Sequence, residues 1–336
     1  MRHYNEHPKM RGWRFAMVAS DLGTSIVEGV VQVLRIPAEW TAPMPRGITW
    51  WPGHFAQSLW SDPAEAEGEP IYRFHCESEL VRGRGQTSLV GRLSHAMTRS
   101  TTSAVVYDET ADLYKLHFAV CATDVSYEWL RRLVLAAIVI QAHDVIAGAP
   151  RLAEEFEVDI AKSGHPKNGE RTDLDQVLRG LPEFIQPAGK KPSRWLEAES
   201  EWVEARNRMR HAGAHAVTDS QTYVRAEFEQ EGSPLRIEIR ADKPHATLGS
   251  GLSLHLVLPV LMSGRERSRL AVKFNMLERT EWTACHDFGS WCLEGPDLCF
   301  HAFIPNVAYA KGMLADLGRD LALRGAWATE HLRSLQ

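Results

Sequence analysis

The chain has 336 residues, 44% hydrophobic and 24% charged, which fits two ordinary globular domains or one large one and excludes wholesale disorder. A formal charge of -5 gives no electrostatic case for nucleic acid as a partner. No run of about 18 apolar residues occurs, the longest being 133–140, so no membrane association is expected.

Residues 1–7 are polar and no apolar signal region follows, so a cytoplasmic location is expected. Cys76, Cys121, Cys285, Cys292 and Cys299 are odd in number and lack Cys-x-x-Cys spacing. They read as small buried hydrophobes in a reducing compartment, with no disulfide framework, no metal and no cofactor.

A helix is expected from Ser20-Asp21, with Leu22, Ile26 and Val30 on one face. Trp50, Trp51 and Trp60 lie in a Pro/Gly-rich segment and are candidate exposed anchors for a partner, because aromatics dominate interface hot spots. Tyr72, Phe74 and Cys76 alternate with Arg73, His75 and Glu77 as a strand. Leu89 and Leu93 mark a short helix, Val105-Val106-Tyr107 a strand, and 113–121 its return after the turn Glu109-Thr110-Ala111-Asp112. A long helix from about 125 to 147 follows; it is apolar nearly all round over 133–140 and needs burial on every side.

The stretch 149–192 reads as a loop-rich connector with a short helix over 172–181, capped by Thr172-Asp173-Leu174-Asp175. From Ser193 a helix carries Trp195, Trp202, Ala205 and Met209 inward, with Glu197, Glu201 and Glu204 read as solvated and Gly213 as its stop. Val224, Ala226 and Phe228, then Leu235, Ile237 and Ile239, alternate with charged residues as a hairpin. Leu252, Leu254, Leu256 and Leu258 form a third strand ended by Pro259. Ser263-Gly264-Arg265-Glu266 is a capping box opening a helix with Leu270, Phe274 and Leu277. Strands over 284–293 and 297–304 and a final helix with Leu314, Leu317, Leu321 and Trp327 inward complete the order α-β-β-β-α-β-β-α.

The later part of that order recurs about 181–185 residues earlier: Leu89 and Leu93 stand where Leu270 and Phe274 stand, and Asp112-Leu113 matches Asp297-Leu298. No third strand is visible in the first copy, where Arg82-Gly83-Arg84-Gly85 lies instead, leaving a sheet edge open to an extended peptide. The expectation is an α+β chain of two tandem modules, 15–148 and 193–333, the first degenerate.

This element order resembles the type III secretion chaperone fold and the YbjN-like proteins related to it. Lys273-Phe274-Asn275-Met276-Leu277-Glu278 looks like their Asn-x-Leu-Glu pattern, and Phe303-Ile304-Pro305-Asn306 and 163–171 look like segments of duplicated actinobacterial-type members. The resemblance implies a non-enzymatic protein that binds extended segments of a protein or peptide client. Simple members are homodimers, and two copies in one chain could form an internal pseudo-dimer, a hypothesis set beside the resemblance.

Two other classes compete with that reading. Arg206 and His211, in Arg206-Asn207-Arg208-Met209-Arg210-His211, are similar to the Arg-x4-His arrangement of HEPN ribonucleases, in which Arg holds phosphate and His moves a proton. A solvated helix end favoured by the macrodipole is the plainer reading. The alternative without chemistry is a scaffold subunit of a larger assembly. His211 and His215 have ligand-like spacing, but Gly213 interrupts them and no carboxylate stands between. Cys285, His286, Cys292, Cys299 and His301 match no zinc module and read as buried packing.

Overall fold

Asp21 accepts the Thr24 amide at 2.8 Å, which caps α1 (Leu22–Leu34). The computed structural model describes residues 21–66, 69–83, 87–96, 101–123, 126–179, 191–218, 220–230, 233–260, 262, 264–280 and 286–334. After α1 come β1 (Thr41–Met44), β2 (Gly47–Trp50), β3 (Gln57–Ala66), β4 (Glu69–Arg82), α2 (Thr87–Ala96), β5 (Ala104–Asp108), β6 (Leu113–Ala122) and α3 (Tyr127–Phe156). β7 (Asp159–Ile160) and the single turn α4 (Gln176–Arg179) lie between the modules. The second module runs α5 (Glu199–His211), β8 (Ala216–Val217), β9 (Tyr223–Gln230), β10 (Ser233–Arg240), β11 (Gly251–Pro259), α6 (Gly264–Thr280), β12 (Ser290–Glu294), β13 (Asp297–Pro305) and α7 (Met313–Ser334).

The chain is α+β with two antiparallel sheets of the same strand layout. The first is ordered β1-β2-β3-β4-β6-β5, with β7 also on β4, and the second β8-β9-β10-β11-β13-β12. Register makes the correspondence residue-specific. One cross-strand row in the first sheet is Trp50, Gln57, Ser78, Leu116 and Val105. Its counterpart in the second is Ala226, Ile237, Leu256, Phe300 and Trp291.

The modules meet through equivalent parts. Asp287, three residues before β12, exchanges two backbone hydrogen bonds with Ala119 of β6 at 2.8 and 3.3 Å. Thr101, three residues before β5, accepts the amide of Phe303 in β13 at 2.9 Å. The middle helices α2 and α6 pack on each other, α2 also reaching β12 and α6 reaching β5.

Several expectations change. The third strand of the first module is present: it is β4, carrying Tyr72, Phe74 and Cys76, and it pairs with both β3 and β6. The strands hidden in the sequence are upstream, β2 and β3, where a four-residue strand and Pro63 blur the alternation. No edge is therefore left open at β4. α3 continues past 147, through Pro150, to Phe156. It is long and apolar enough to cross a membrane, yet Leu130, Leu133, Val134, Ala137, Ile138 and Val145 are buried. Leu135 and Ala136 stay half-buried, so burial is not complete all round.

At 193 a 3-10 turn (Arg194–Glu197) precedes α5, and Trp195, Trp202, Ala205 and Met209 are fully buried. Gly213 ends α5 at φ +96°. Glu201 is not solvated: its carboxylate accepts the Leu314 amide at 3.3 Å and faces the start of α7, where the macrodipole favours an anion. Cys76, Cys121, Cys292 and Cys299 are buried free thiols. Ser263, the first residue of the capping box, and Cys285 lie outside the described residues.

Candidate binding cavity and the inter-module network

Arg206 and His211 do not converge. Five residues turn a helix through about 500°, placing the two side chains about 140° apart. The Arg206 guanidinium donates to the Ser220 carbonyl at the buried side of α5. His211 is exposed, its Nδ1 donating back to the Asn207 carbonyl at 2.8 Å. His215 is exposed as well.

The three anchor tryptophans separate. Trp50 and Trp51 are buried, contrary to the expectation of exposure. Trp50 ends a strand on the helix-facing side of the sheet, and strand alternation hides every second residue. Trp51 donates through Nε1 to Ser163 at 3.3 Å and meets His165 edge-on at 5.0 Å. Trp60 is half-buried, stacked on His75 at 4.7 Å and bonded through Nε1 to Asp62 at 2.9 Å.

Buried Trp51 instead braces the connector beneath a cavity. His165 and Gly169 close a loop by mutual backbone bonds of 2.8 and 2.9 Å, the glycine at φ +74°. His165 Nδ1 accepts the amides of Lys167 and Asn168, while Nε2 donates to the Thr41 carbonyl at 3.0 Å. His245 and Gly249 repeat that loop in the second module, with Nδ1 accepting from Thr247 and Leu248. Arg171, buried, donates to the Trp51 carbonyl at 2.8 Å and to Asp175 at 3.0 Å, and lies over the Trp40 ring at 4.9 Å. Asp175 in turn accepts the Val177 amide at 3.1 Å, starting α4. The result is a cavity of about 550 Å³ between the end of α1 and α4. Leu34, Pro37, Trp40, Leu174 and Val177 give it apolar walls, and Arg35, Glu39, Asp173 and Arg179 a charged rim. Trp40, the aromatic that sequence reasoning passed over, lines this cavity.

Ionisable groups gather where the modules meet. His75 Nδ1 lies 3.2 Å from His117 Nε2, and His117 Nδ1 lies 3.4 Å from Asp287. Arg324 of α7 donates to Glu278 of α6 and to the His286 carbonyl, both at 2.6 Å. Arg73 donates to the Glu278 carbonyl at 2.6 Å, and Arg279 and Lys115 pair with Glu77. Burial, with nearby Asp287, pushes the Glu278 carboxyl up to about 8 although Arg324 draws it back. Burial raises Asp287 as well. Glu278 Oε2 and both Asp287 oxygens are sealed without a hydrogen-bond donor; a proton shared between the two carboxyls resolves this, with Arg324 balancing the remaining charge. Burial pushes His75 down to about 2 and His117 to about 3, so both rings are neutral at pH 7.

Asn275, one residue after Phe274 in the pattern noted in the sequence, closes strand edges. Its Oδ1 accepts the Trp291 amide at 2.8 Å, and its Nδ2 donates to the Val105 carbonyl at 3.2 Å. One side chain thus links β12 to β5, the outer strands of the two sheets. Glu278 lies one turn further along the same helix, so the short pattern marks the contact between modules.

Comparison with known proteins finds no matching family model, curated protein or solved structure.

Proposed function

We propose that this chain is a non-enzymatic, chaperone-like binding protein whose two modules act as an internal pseudo-dimer, and which holds an extended segment of a protein client. The observation that carries the reading is the cavity at Trp40: apolar walls, an aromatic and an arginine in contact, and a rim of mixed charge. Those are the chemical features of a peptide anchor pocket. The client segment presents an aliphatic or aromatic residue to Trp40, Leu174 and Val177, with flanking charges meeting Arg35 and Asp173. A cytoplasmic setting belongs to the same proposal.

The ion network supports this reading from the opposite direction. Its shifted groups, including His117, Glu278 and Asp287, are buried between the modules, which suits joining two halves better than meeting a solute. The nuclease alternative loses support from the divergence of Arg206 and His211.

The test is capture from the native host with a photo-crosslinking residue at position 174, followed by peptide mapping. An unfolded client segment attached at that position, and capture weakened at least tenfold by Trp40→Ala, is the expected result. Undiminished capture by Trp40→Ala, with crosslinks to a folded subunit, would replace the proposal with the scaffold reading.

A further inference from the structure

The second sheet carries a cluster of different chemistry, made of residues that take no part in the Trp40 cavity. Cross-strand register sets His255 of β11 opposite His301, and Cys299 of β13 between Val257 and Cys292. Glu294 ends β12 opposite Asp297. Because side chains alternate with period two, His255, Cys292, Glu294 and Cys299 share one face of three adjacent strands. A ring nitrogen of His255, a carboxylate oxygen of Glu294 and Cys299 Sγ lie within 4.8 Å of one another.

We propose that His255, Glu294 and Cys299 form a binding site for a borderline-soft divalent transition metal, Zn²⁺ foremost. Tetrahedral zinc with nitrogen, oxygen and sulfur donors at about 2.0–2.3 Å requires donors about 3.3–3.8 Å apart. Small side-chain rotations reach that spacing. His255 Nε2 is shielded from solvent and lies 3.3 Å from Glu294 Oε2, outside good hydrogen-bond geometry. A shielded ring nitrogen, a carboxylate and a thiol brought together in this way are a donor set that one cation can ligate. Glu294 is 44% exposed, which opens a path for the ion, whereas Cys299 is fully buried. Cys292, cross-strand neighbour of Cys299, lies outside that three-donor group, so the fourth position falls to water. The thiol loses its proton on binding, so metal uptake releases a proton to solvent. The ion would tie β11 to β12 across β13, and it would stabilise the fold by mass action.

The experiment titrates the reduced, metal-stripped full chain with Co²⁺, which reports thiolate ligation through a charge-transfer band in the near ultraviolet. Displacement by Zn²⁺ and thermal melting accompany the titration. One equivalent of Co²⁺ giving the band, displaced by Zn²⁺ with a rise in melting temperature, is expected. Cys299→Ser and His255→Ala, each checked for folding by circular dichroism, lose the band, and Glu294→Gln weakens binding about tenfold or more. Cys292→Ser, which changes a thiol outside the three-donor group, leaves the band intact. No band in the native chain, or an unchanged band in folded Cys299→Ser, overturns the proposal.

Discussion

The two modules share a strand order but fill equivalent positions differently. Along equivalent rows the first sheet has Trp50, Gln57 and Ser78 where the second has Ala226, Ile237 and Leu256. The first module consequently needs a polar hub. Gln141 of α3 accepts from Ser78 at 2.6 Å and from Gln57 at 3.2 Å, and donates to Ser103 at 3.0 Å and to the Cys76 carbonyl at 3.3 Å. The second module fills the same layer with aliphatic side chains. Duplication preserves backbone pairing while the filling diverges, because ladder bonds are independent of side-chain identity whereas packing volume is not.

That contrast can be broken most forcefully at Trp50. Trp50→Ala empties a fully buried indole site and should cost about 3–5 kcal/mol in urea unfolding. Its counterpart already carries alanine, so Ala226→Gly should cost much less. Equal losses would contradict the assigned equivalence.

The hub offers the next largest effect. Gln141→Leu leaves Gln57, Ser78 and Ser103 with fewer partners, and should cost about 1–3 kcal/mol. Adding Gln57→Leu should recover part of that loss, since removing both sides of a buried hydrogen bond is nearly neutral when shape is kept. A purely additive double variant would mean the hub is not a unit.

A smaller effect is read from pH. The Glu278–Asp287 pair keeps in the folded chain a proton that the unfolded chain releases. Their stabilisation is complete below the ordinary carboxylate pKa of about 4 and is lost as pH rises toward the Glu278 value of about 8. His75 and His117 act at the other end. Their stabilisation is present above about pH 6.5 and is lost as pH falls toward their folded values of about 2 and about 3. Stability should therefore decline in both directions from mildly acidic pH. Glu278→Gln should flatten the decline between pH 6 and 8 in urea unfolding; a curve parallel to the native one would remove the shared-proton assignment.

The smallest effect belongs to His211, exposed at the end of α5. His211→Ala should change stability by no more than about 0.5 kcal/mol and leave any RNA degradation by the preparation unchanged. Loss of RNA cleavage in that variant alone would revive the nuclease reading.

Legibility in the sequence followed the range of the interactions. The hairpin over Val224 to Ile239 was readable because eight-residue strands show several full alternations. β2 was not, since four residues with a glycine show almost none. Leu89 and Leu93 identified α2, and both are buried, but nothing local indicated that α2 would also reach β12 of the other module.

Period-two alternation, helical spacing of apolar residues and capping or stop residues are properties of chain neighbours, and they determined the α+β class and the repeated element order. Tertiary structure decided which tryptophans were hidden, where Trp40 met Arg171, and how Glu278 came to share its surroundings with Asp287 and Arg324. It also brought His255 to Glu294 and Cys299. Each of those outcomes depends on side chains far apart in the chain arriving at one register or one interface, where burial changes their protonation and their available partners.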